Sequence, residues 1–327
     1  MSFLACRVFD QPEVHHQMQQ LELQDLSAGD LVIKVDYSSI NYKDALAASG
    51  RGKIMKSFPL NAGIDLAGSV ESSDDPKFKV GDKVLVNGCG IGESHDGGLA
   101  QYARVNTDWA IPLPAAYSTR QAMIIGTAGF TAALAIYRMQ QNGQTTDKGS
   151  IIVTGASGGV GSFAVNLLSK LGYQTVALTS RDSMRDYLSA LGADTVTTLD
   201  ELELSDKPMA KALYGGAIDN IGGEVLSKII AHTNLWGNVA SIGLAQSPKL
   251  DAMVFPFILR GVSLLGISST NCPMDLRTKI WHQFGQELPL PDFDKILSKE
   301  IPLAEVSPYF DELIDKKHYG RLLVNCK

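Results

Sequence analysis

The sequence predicts an α/β chain in two parts, a small and strongly curved β domain followed by a doubly wound parallel sheet. Three observations carry this. Residues 1 to about 110 hold short β-type runs separated by Gly, Asp and Pro turns. From about residue 150 onward, strands alternate with helical segments, as βα units do. The first of those later strands opens into a glycine-rich turn and an amphipathic helix.

That stretch is Ile151-Ile152-Val153-Thr154-Gly155-Ala156-Ser157-Gly158-Gly159-Val160-Gly161-Ser162. Four β-branched residues come first, then glycines at 155, 158, 159 and 161, then apolar residues at helical spacing: Val160, Phe163, Ala164, Leu167, Leu168 and Leu171. Strand, tight turn and helix follow from this order. Such a turn lets backbone N–H groups approach a pyrophosphate at the positive end of the helix dipole. The spacing is G-x-x-G-x-x-G rather than G-x-G-x-x-G, so the flanking strand and helix carry the Rossmann reading more than the glycines do.

In the first part, Ala5-Cys6-Arg7-Val8-Phe9, Leu31-Val32-Ile33-Lys34-Val35, Leu66-Ala67-Gly68-Ser69-Val70 and Lys83-Val84-Leu85-Val86 read as strands, with turns at Gly29-Asp30 and Val80-Gly81-Asp82-Lys83. Helical patterning is confined there to residues 42–48. Residues 122–139 are apolar at helical spacing, with Gly126 and Gly129 allowing close packing. Strands are expected at 151–154, 174–179, 195–197, 216–221, 238–243 and 262–267, with helices over 184–191, from 198 through 213, and over 225–231. Right-handed crossovers make the sheet parallel. The tail holds helices near 277–284 and 306–316 and a last strand at 320–325. A strand following the Rossmann unit has no place in its sheet, so it is expected to return to the first domain. The limits expected are 1–121 with 269–327 for the β domain and 122–268 for the Rossmann domain.

At 327 residues, two domains are the default. A net charge of −6, from 29 basic and 35 acidic residues, gives no reason to expect nucleic-acid or anionic-membrane partners. No apolar run is read as reaching the ~18 residues of a membrane span, and MSFLACRVFDQPE is unlike a signal peptide. Cys6, Cys89, Cys272 and Cys326 are scattered without a C-x-x-C pair, which fits structural thiols in a reducing cytoplasm.

The end of the second Rossmann strand separates NAD from NADP, since a carboxylate there binds the ribose 2′-hydroxyl. Here it ends Leu178-Thr179-Ser180-Arg181. A guanidinium can hold a 2′-phosphate bidentately while Ser180 donates a hydrogen bond, so NADP is expected, with neighbouring Asp182 the feature that opposes it.

Together these features resemble the medium-chain dehydrogenase/reductase superfamily, on its zinc-free, quinone-oxidoreductase-like side. The motifs are Ser38-Ser39-Ile40-Asn41-Tyr42-Lys43-Asp44, Gly63-Ile64-Asp65-Leu66-Ala67-Gly68, Gly81-Asp82-Lys83-Val84 and Gly126-Thr127-Ala128-Gly129-Phe130-Thr131-Ala132, ahead of the glycine-rich turn. Residues 41–46, 123–132 and 254–262 are similar to the NADPH-dependent acrylyl-CoA reductase branch. The resemblance implies a GroES-like barrel domain, a Rossmann domain, a cleft between them and a homodimer joined through the last Rossmann strands. Zinc-containing relatives carry Cys and His-Glu where this sequence has Asn41-Tyr42 and Ile64-Asp65, and only Cys89 lies near the missing structural-zinc lobe, so no zinc is expected. His95, His232 and His318 are expected to be structural or surface residues.

Without a metal, the substrate must already be a good hydride acceptor. The reaction implied is NADPH-dependent reduction of acrylyl-CoA to propionyl-CoA; a quinone or enone reductase is the alternative. A nucleotide-binding protein without catalysis is a rival of another class, and the missing zinc ligands disfavour an alcohol dehydrogenase. Tyr42 and Asn41 are the catalytic candidates. Tyr42 either donates a proton, polarises the carbonyl or only packs the nicotinamide. Asp65 is read as a turn anchor. Cofactor contacts are expected from Tyr42, Thr127, Ser157, Gly158, Gly159, Val160, Thr179, Ser180, Arg181, Asn220, Ile242, Leu265 and Arg321. Arg51, Lys53 and Lys56 are candidates for coenzyme A phosphates, although such a charge run also suits a solvated face.

Overall fold

The computed structural model describes residues 2–327. Two compact units are present. The first holds residues up to Thr127, Thr270–Trp281 and Leu297–Lys327; the second holds Ala128–Ser269 and His282–Ile296.

The chain begins with β1 (Ser2–Phe9), β2 (His15–Glu22), β3 (Leu31–Ile40), α1 (Tyr42–Ala48), β4 (Leu60–Asn61), β5 (Asp65–Ser73), β6 (Lys83–Asn87), β7 (Tyr102–Val105) and β8 (Ile111–Pro112). β2 was not expected from the sequence. Its residues, HHQMQQLE, are mostly polar, and it forms by pairing antiparallel along the whole of β1 at the edge of a three-stranded sheet. The helix α1 has the bounds expected, set by a box in which Asn41 and Asp44 cap one another.

α2 (Thr119–Gln141) is interrupted at Gly126, whose φ of 48° and ψ of −158° are not helical, and the two units divide just after this break. By length and apolar content α2 could cross a membrane, contrary to the sequence expectation, but 83% of its most apolar window is buried in the protein. It is a core helix.

In the second unit follow β9 (Ile151–Thr154), α3 (Gly159–Lys170), β10 (Thr175–Leu178), α4 (Arg185–Ala190), β11 (Thr195–Thr197), β12 (Tyr214–Asp219), α5 (Gly223–Ala231), β13 (Thr233–Ser241), α6 (Phe255–Arg260) and β14 (Ser263–Gly266). The sheet order is β11-β10-β9-β12-β13-β14, parallel throughout. This is a Rossmann sheet, and the chain reverses its direction of winding between β9 and β12. The helix expected from 198 through 213 is absent. That segment is polar, contains Pro208, and is held by tertiary contacts instead: Arg185 binds Glu201 at 2.6 Å and Ser205 donates its N–H to His232 Nε2 at 2.9 Å.

The tail contains α7 (Met274–Gln283), α8 (Phe293–Ile296), β15 (Leu297–Pro302), α9 (Ser307–Ile314) and β16 (Arg321–Asn325). It is not all of one unit. Residues 282–296 belong to the second, where Asp292 takes hydrogen bonds from Asn166 and Lys170 of α3. β16 pairs antiparallel with β3 in the first unit, in a seven-stranded sheet of order β15-β16-β3-β5-β6-β8 with β7 also on β3.

The close approach of α3 to the turn after β9 rests on Gly161. A Cβ there would sit 2.4 Å from the Gly155 carbonyl oxygen and 2.6 Å from Ala156 Cα, backbone atoms that cannot swing aside. Gly161→Ala is therefore expected to destabilise the protein by ~1–3 kcal/mol, as overpacking does, measured by urea unfolding; unchanged stability would contradict this packing.

Candidate functional site

β16, β3 and β5 are neighbours, and their site-bearing residues meet at one end of the sheet: Arg321 begins β16, Ser39 and Ile40 end β3, and Asp65 begins β5. Asp65 is fully buried. Its carboxylate accepts from Ser39 Oγ at 2.7 Å, Asn41 Nδ2 at 2.7 Å, and Thr127 N–H and Oγ1 at 2.9 and 2.6 Å. Arg321, 3% exposed, lies 3.8 Å from it. Asp65 is thus the anchor the sequence suggested.

Arg321 does not extend to a cofactor as expected. Its Nε donates to the Ile124 carbonyl at 3.0 Å, Nη1 to Asn41 Oδ1 at 3.1 Å and Nη2 to Ser39 Oγ at 2.7 Å. Its guanidinium is committed to the anchor. Burial pulls its pKa down, while Asp65 and Asp44 favour the charged form. Gly126 leaves the space for this packing, since a Cβ on it would meet Arg321 Nη2 at 2.7 Å and Asp65 Oδ2 at 2.8 Å.

Asn41 bridges two buried carboxylates. Its Nδ2 donates to Asp65 Oδ2 at 2.7 Å and to Asp44 Oδ2 at 3.1 Å. Both amide hydrogens are spent, so Asn41 cannot donate to charge developing on a substrate. As placed, the amide is committed to the two carboxylates, which does not suit the catalytic role expected for it. Next to it is Tyr42, the first residue of α1, 45% exposed and with no hydrogen bond to its hydroxyl among the described residues.

Lys43, Asp44, Ser39 and Glu93 belong to the same surroundings and were missed as site residues; the N-x-x-D capping pattern could have revealed Asp44. Lys43 Nζ donates to Glu93 at 2.8 Å and to Thr270 Oγ1 at 2.9 Å. The three basic candidates lie on an exposed loop, where Arg51 stands 3.9 Å from exposed Asp311.

In the second unit, Arg181 Nη2 donates to Ser157 Oγ at 3.0 Å, and Thr179 Oγ1 accepts from the Arg181 N–H at 3.2 Å. The glycine-rich turn and the end of β10 are therefore tied together, with Gly158 and Ser180 exposed beside them and Gly159 and Val160 half-buried. At the switch point Asn220 donates its N–H and Nδ2 to Thr154 Oγ1 and O at 2.9 and 2.7 Å, leaving its buried Oδ1 without a partner among the described residues. Ile242, directly after β13, and Leu265 of β14 are half-buried.

Among the described residues no group of three His, Cys, Asp or Glu could hold a metal ion. His95 and His232 are structural: His95 Nε2 meets the Arg104 carbonyl at 2.8 Å, and His232 bridges Ser205 and Lys211. Burial pushes the Cys6 thiol up to about 12.

Known proteins match this architecture. The model for the alcohol dehydrogenase GroES-like domain covers residues 27–115, and that for zinc-binding dehydrogenases covers residues 159–284. "Probable acrylyl-CoA reductase AcuI" of Escherichia coli is 46% identical over 94% of this chain and 94% of its own. The chain belongs to the medium-chain dehydrogenase/reductase superfamily, in its quinone-oxidoreductase-like branch. "Putative quinone oxidoreductase YhfP" of Bacillus subtilis is 42% identical over 96% of this chain and 95% of its own, and a structure of that protein with NAD bound superposes with a TM-score of 0.95 at 41% identity, over 99% of both chains. The yhdH oxidoreductase of Salmonella enterica in complex with NADP gives a TM-score of 0.95 at 45% identity, over 99% of this chain and all of its own.

Burial, with Asp65's charge adding to it, pushes the Asp44 carboxyl up to about 7, against the hydrogen bonds of Asn41 and Ile64. Between the ordinary carboxyl range, ~4, and about 7 the folded chain then holds a proton that the unfolded chain has released. Stability is expected to fall as pH rises through that window and to level off above it. Urea midpoints from pH 5 to 8 measure this. Asp44→Asn should flatten the slope, and a slope unchanged in the variant would refute the assignment.

Proposed function

We propose that this chain reduces the carbon–carbon double bond of an α,β-unsaturated acyl thioester with NADPH, converting acrylyl-CoA to propionyl-CoA without zinc. The observation that carries this is the 46% identity, over nearly the whole length of both chains, to a protein named as an acrylyl-CoA reductase. NADPH is supported by the Arg181–Ser157–Thr179 cluster at the end of β10 and by the NADP in the Salmonella structure.

The residues present fit the cofactor. The turn excludes a Cβ at Gly161, the first turn of α3 follows it directly, and Asn220 Oδ1 is an unused acceptor at the switch point. Ser157, Gly158, Gly159 and Val160 would hold the pyrophosphate, and Thr179, Ser180 and Arg181 the 2′-phosphate. When bound, NADPH supplies the hydride that adds to the β-carbon of the substrate. Negative charge then develops on the thioester carbonyl, and a proton must reach the α-carbon. Tyr42 is the exposed donor beside the anchor, so it is assigned to polarise that carbonyl or give that proton. Asn41 and Thr127, bound to Asp65, fix the Tyr42 segment. The positions that hold zinc ligands in metal-containing relatives are Asn41-Tyr42 and Ile64-Asp65 here, which suits a substrate already activated by conjugation. The basic loop at Arg51, Lys53 and Lys56 is assigned to the coenzyme A phosphates. Cys6, Cys89, Cys272 and Cys326 form no disulfide among the described residues, which suits a reducing cytoplasm.

Mixing the purified chain with NADPH and acryloyl-CoA should give rapid loss of reduced-nicotinamide absorbance. Turnover of 1,4-benzoquinone alone would favour the second reading, a quinone reductase, for which the YhfP relative speaks. Arg181→Ala should raise the KM for NADPH about 10- to 100-fold, as loss of a charge-assisted bond of roughly 1.5–3 kcal/mol implies, and leave that for NADH unchanged.

A homodimer is also proposed. β14 is an open sheet edge, and beside it in sequence Val254, Ile258 and Leu259 of the α6 segment are 62%, 69% and 61% exposed. A second copy is the occupant that would cover both. Light scattering should give twice the chain mass, and Ile258→Asp the single mass; a monomeric native protein would refute this.

A further inference from the structure

His318 lies outside everything assigned above, yet it is joined to Arg321. β15 pairs with β16 through a bulge between Leu297 and Lys299, which turns Ser298 out of the regular ladder. Ser298 Oγ donates to the Arg321 carbonyl at 2.7 Å and lies 2.7 Å from His318 Nε2. The other ring nitrogen, Nδ1, is 3.5 Å from Glu312 Oε2 of α9.

The protons can be counted along this chain. Its two ends, the Glu312 carboxylate and the Arg321 carbonyl, only accept. The two 2.7 Å hydrogen bonds need two hydrogens, which the Ser298 hydroxyl and the His318 Nε2–H supply. The 3.5 Å approach of Nδ1 to the Glu312 carboxylate is an ion pair only if Nδ1 is protonated as well, which makes the ring an imidazolium. With Ser298 donating to the carbonyl, a neutral ring would either set its Nδ1 lone pair against the Glu312 carboxylate or draw the hydroxyl hydrogen away from Arg321.

We propose that His318, in its protonated form and through Ser298, is a positioning residue for the reductase reaction, fixing the start of β16 so that the Arg321 guanidinium holds Asn41 and Asp65 beneath Tyr42. The link to catalysis rests on the reading of Tyr42 given above; the link to Arg321 does not. The other groups facing the ring are Tyr309 of α9, edge-on at 6.4 Å, and Tyr319, stacked at 6.3 Å. Lys299 Nζ lies over Tyr309, and Lys317 is paired with Asp315 at 2.9 Å. Glu312 is the carboxylate that stands 3.5 Å from the imidazole.

The test is a pH titration of the full chain by NMR, following the His318 ring and the Arg321 Nε–H, which donates to Ile124. The ring should titrate above the ~6.5 of an ordinary histidine, and the Arg321 Nε–H signal should move with the same midpoint. Glu312→Gln should lower that midpoint, and His318→Gln should abolish the movement at Arg321. A ring that titrates at or below the ordinary value, or an Arg321 signal that ignores it, overturns the proposal. Both readouts need no substrate, so failure to reduce acryloyl-CoA would refute the proposed function and leave this inference standing at Arg321. On whichever acceptor is reduced, kcat should fall severalfold as pH rises through the same midpoint while the KM for NADPH holds. His318→Gln should show the lowered kcat throughout without the step. A wild-type kcat without that step overturns the catalytic link.

Discussion

The first unit depends on a carboxylate placed where no water reaches it. Asp65 is fully buried, and an isolated charge there would be prohibitively costly. The surrounding sequence meets that cost from three directions: Ser39 and Asn41 at the end of β3, Thr127 after the Gly126 break, and Arg321 from the tail. Losing one partner of such a buried pair costs ~3–5 kcal/mol, even where the whole pair adds little net stability. The strand pairing has to bring these residues together before any of them is satisfied. The tail strand β16 is therefore part of the site's construction as well as an addition to the sheet.

Two carboxylates a short distance apart are treated differently by their surroundings. Asp65 has Thr127, Ser39 and the Arg321 guanidinium about it. Asp44 has only the backbone N–H groups of Asn41 and Ile64 and a share of the Asn41 amide, and burial raises it. Asn41 separates them, giving one amide hydrogen to each. An aspartate in its place would set three carboxylates together, and an alanine would leave both unscreened from each other. Held by both, Asn41 caps α1, whose first residue, Tyr42, remains exposed.

Much of this was legible in the sequence where local pattern determines structure. The glycine-rich turn, α1 to the residue and the last strand all follow from spacing, capping and β-branched runs. The misses share a cause in tertiary contact. β2 has little strand propensity and exists because β1 is beside it. The segment from 198 through 213 looks compatible with a helix until Pro208 and the contacts of Glu201 and Ser205 are considered. Arg321 is more instructive still. A returning tail suggests that Arg321 reaches the cofactor, and only the register of β16 on β3 shows that its guanidinium is enclosed by Ser39, Asn41 and Asp65. Sequence spacing of some 280 residues carries no trace of that contact.

The same enclosure bears on what chemistry the site can support. An enzyme that reduces an unactivated carbonyl needs a strong electrophile at the oxygen, commonly a metal ion. In this unit Arg321 is committed to Ser39 and Asn41, and the Asn41 amide to Asp44 and Asp65. Lys43 is shared between Glu93 and Thr270. These donors are thus spent on one another, and the exposed Tyr42 phenol is the group proposed to meet the substrate. A conjugated thioester matches that limited provision, because its own carbonyl draws the charge away from the carbon that receives hydride. The protein then has chiefly to orient the reactants and exclude alternatives, which a stiff, internally saturated anchor does better than a site of mobile donors.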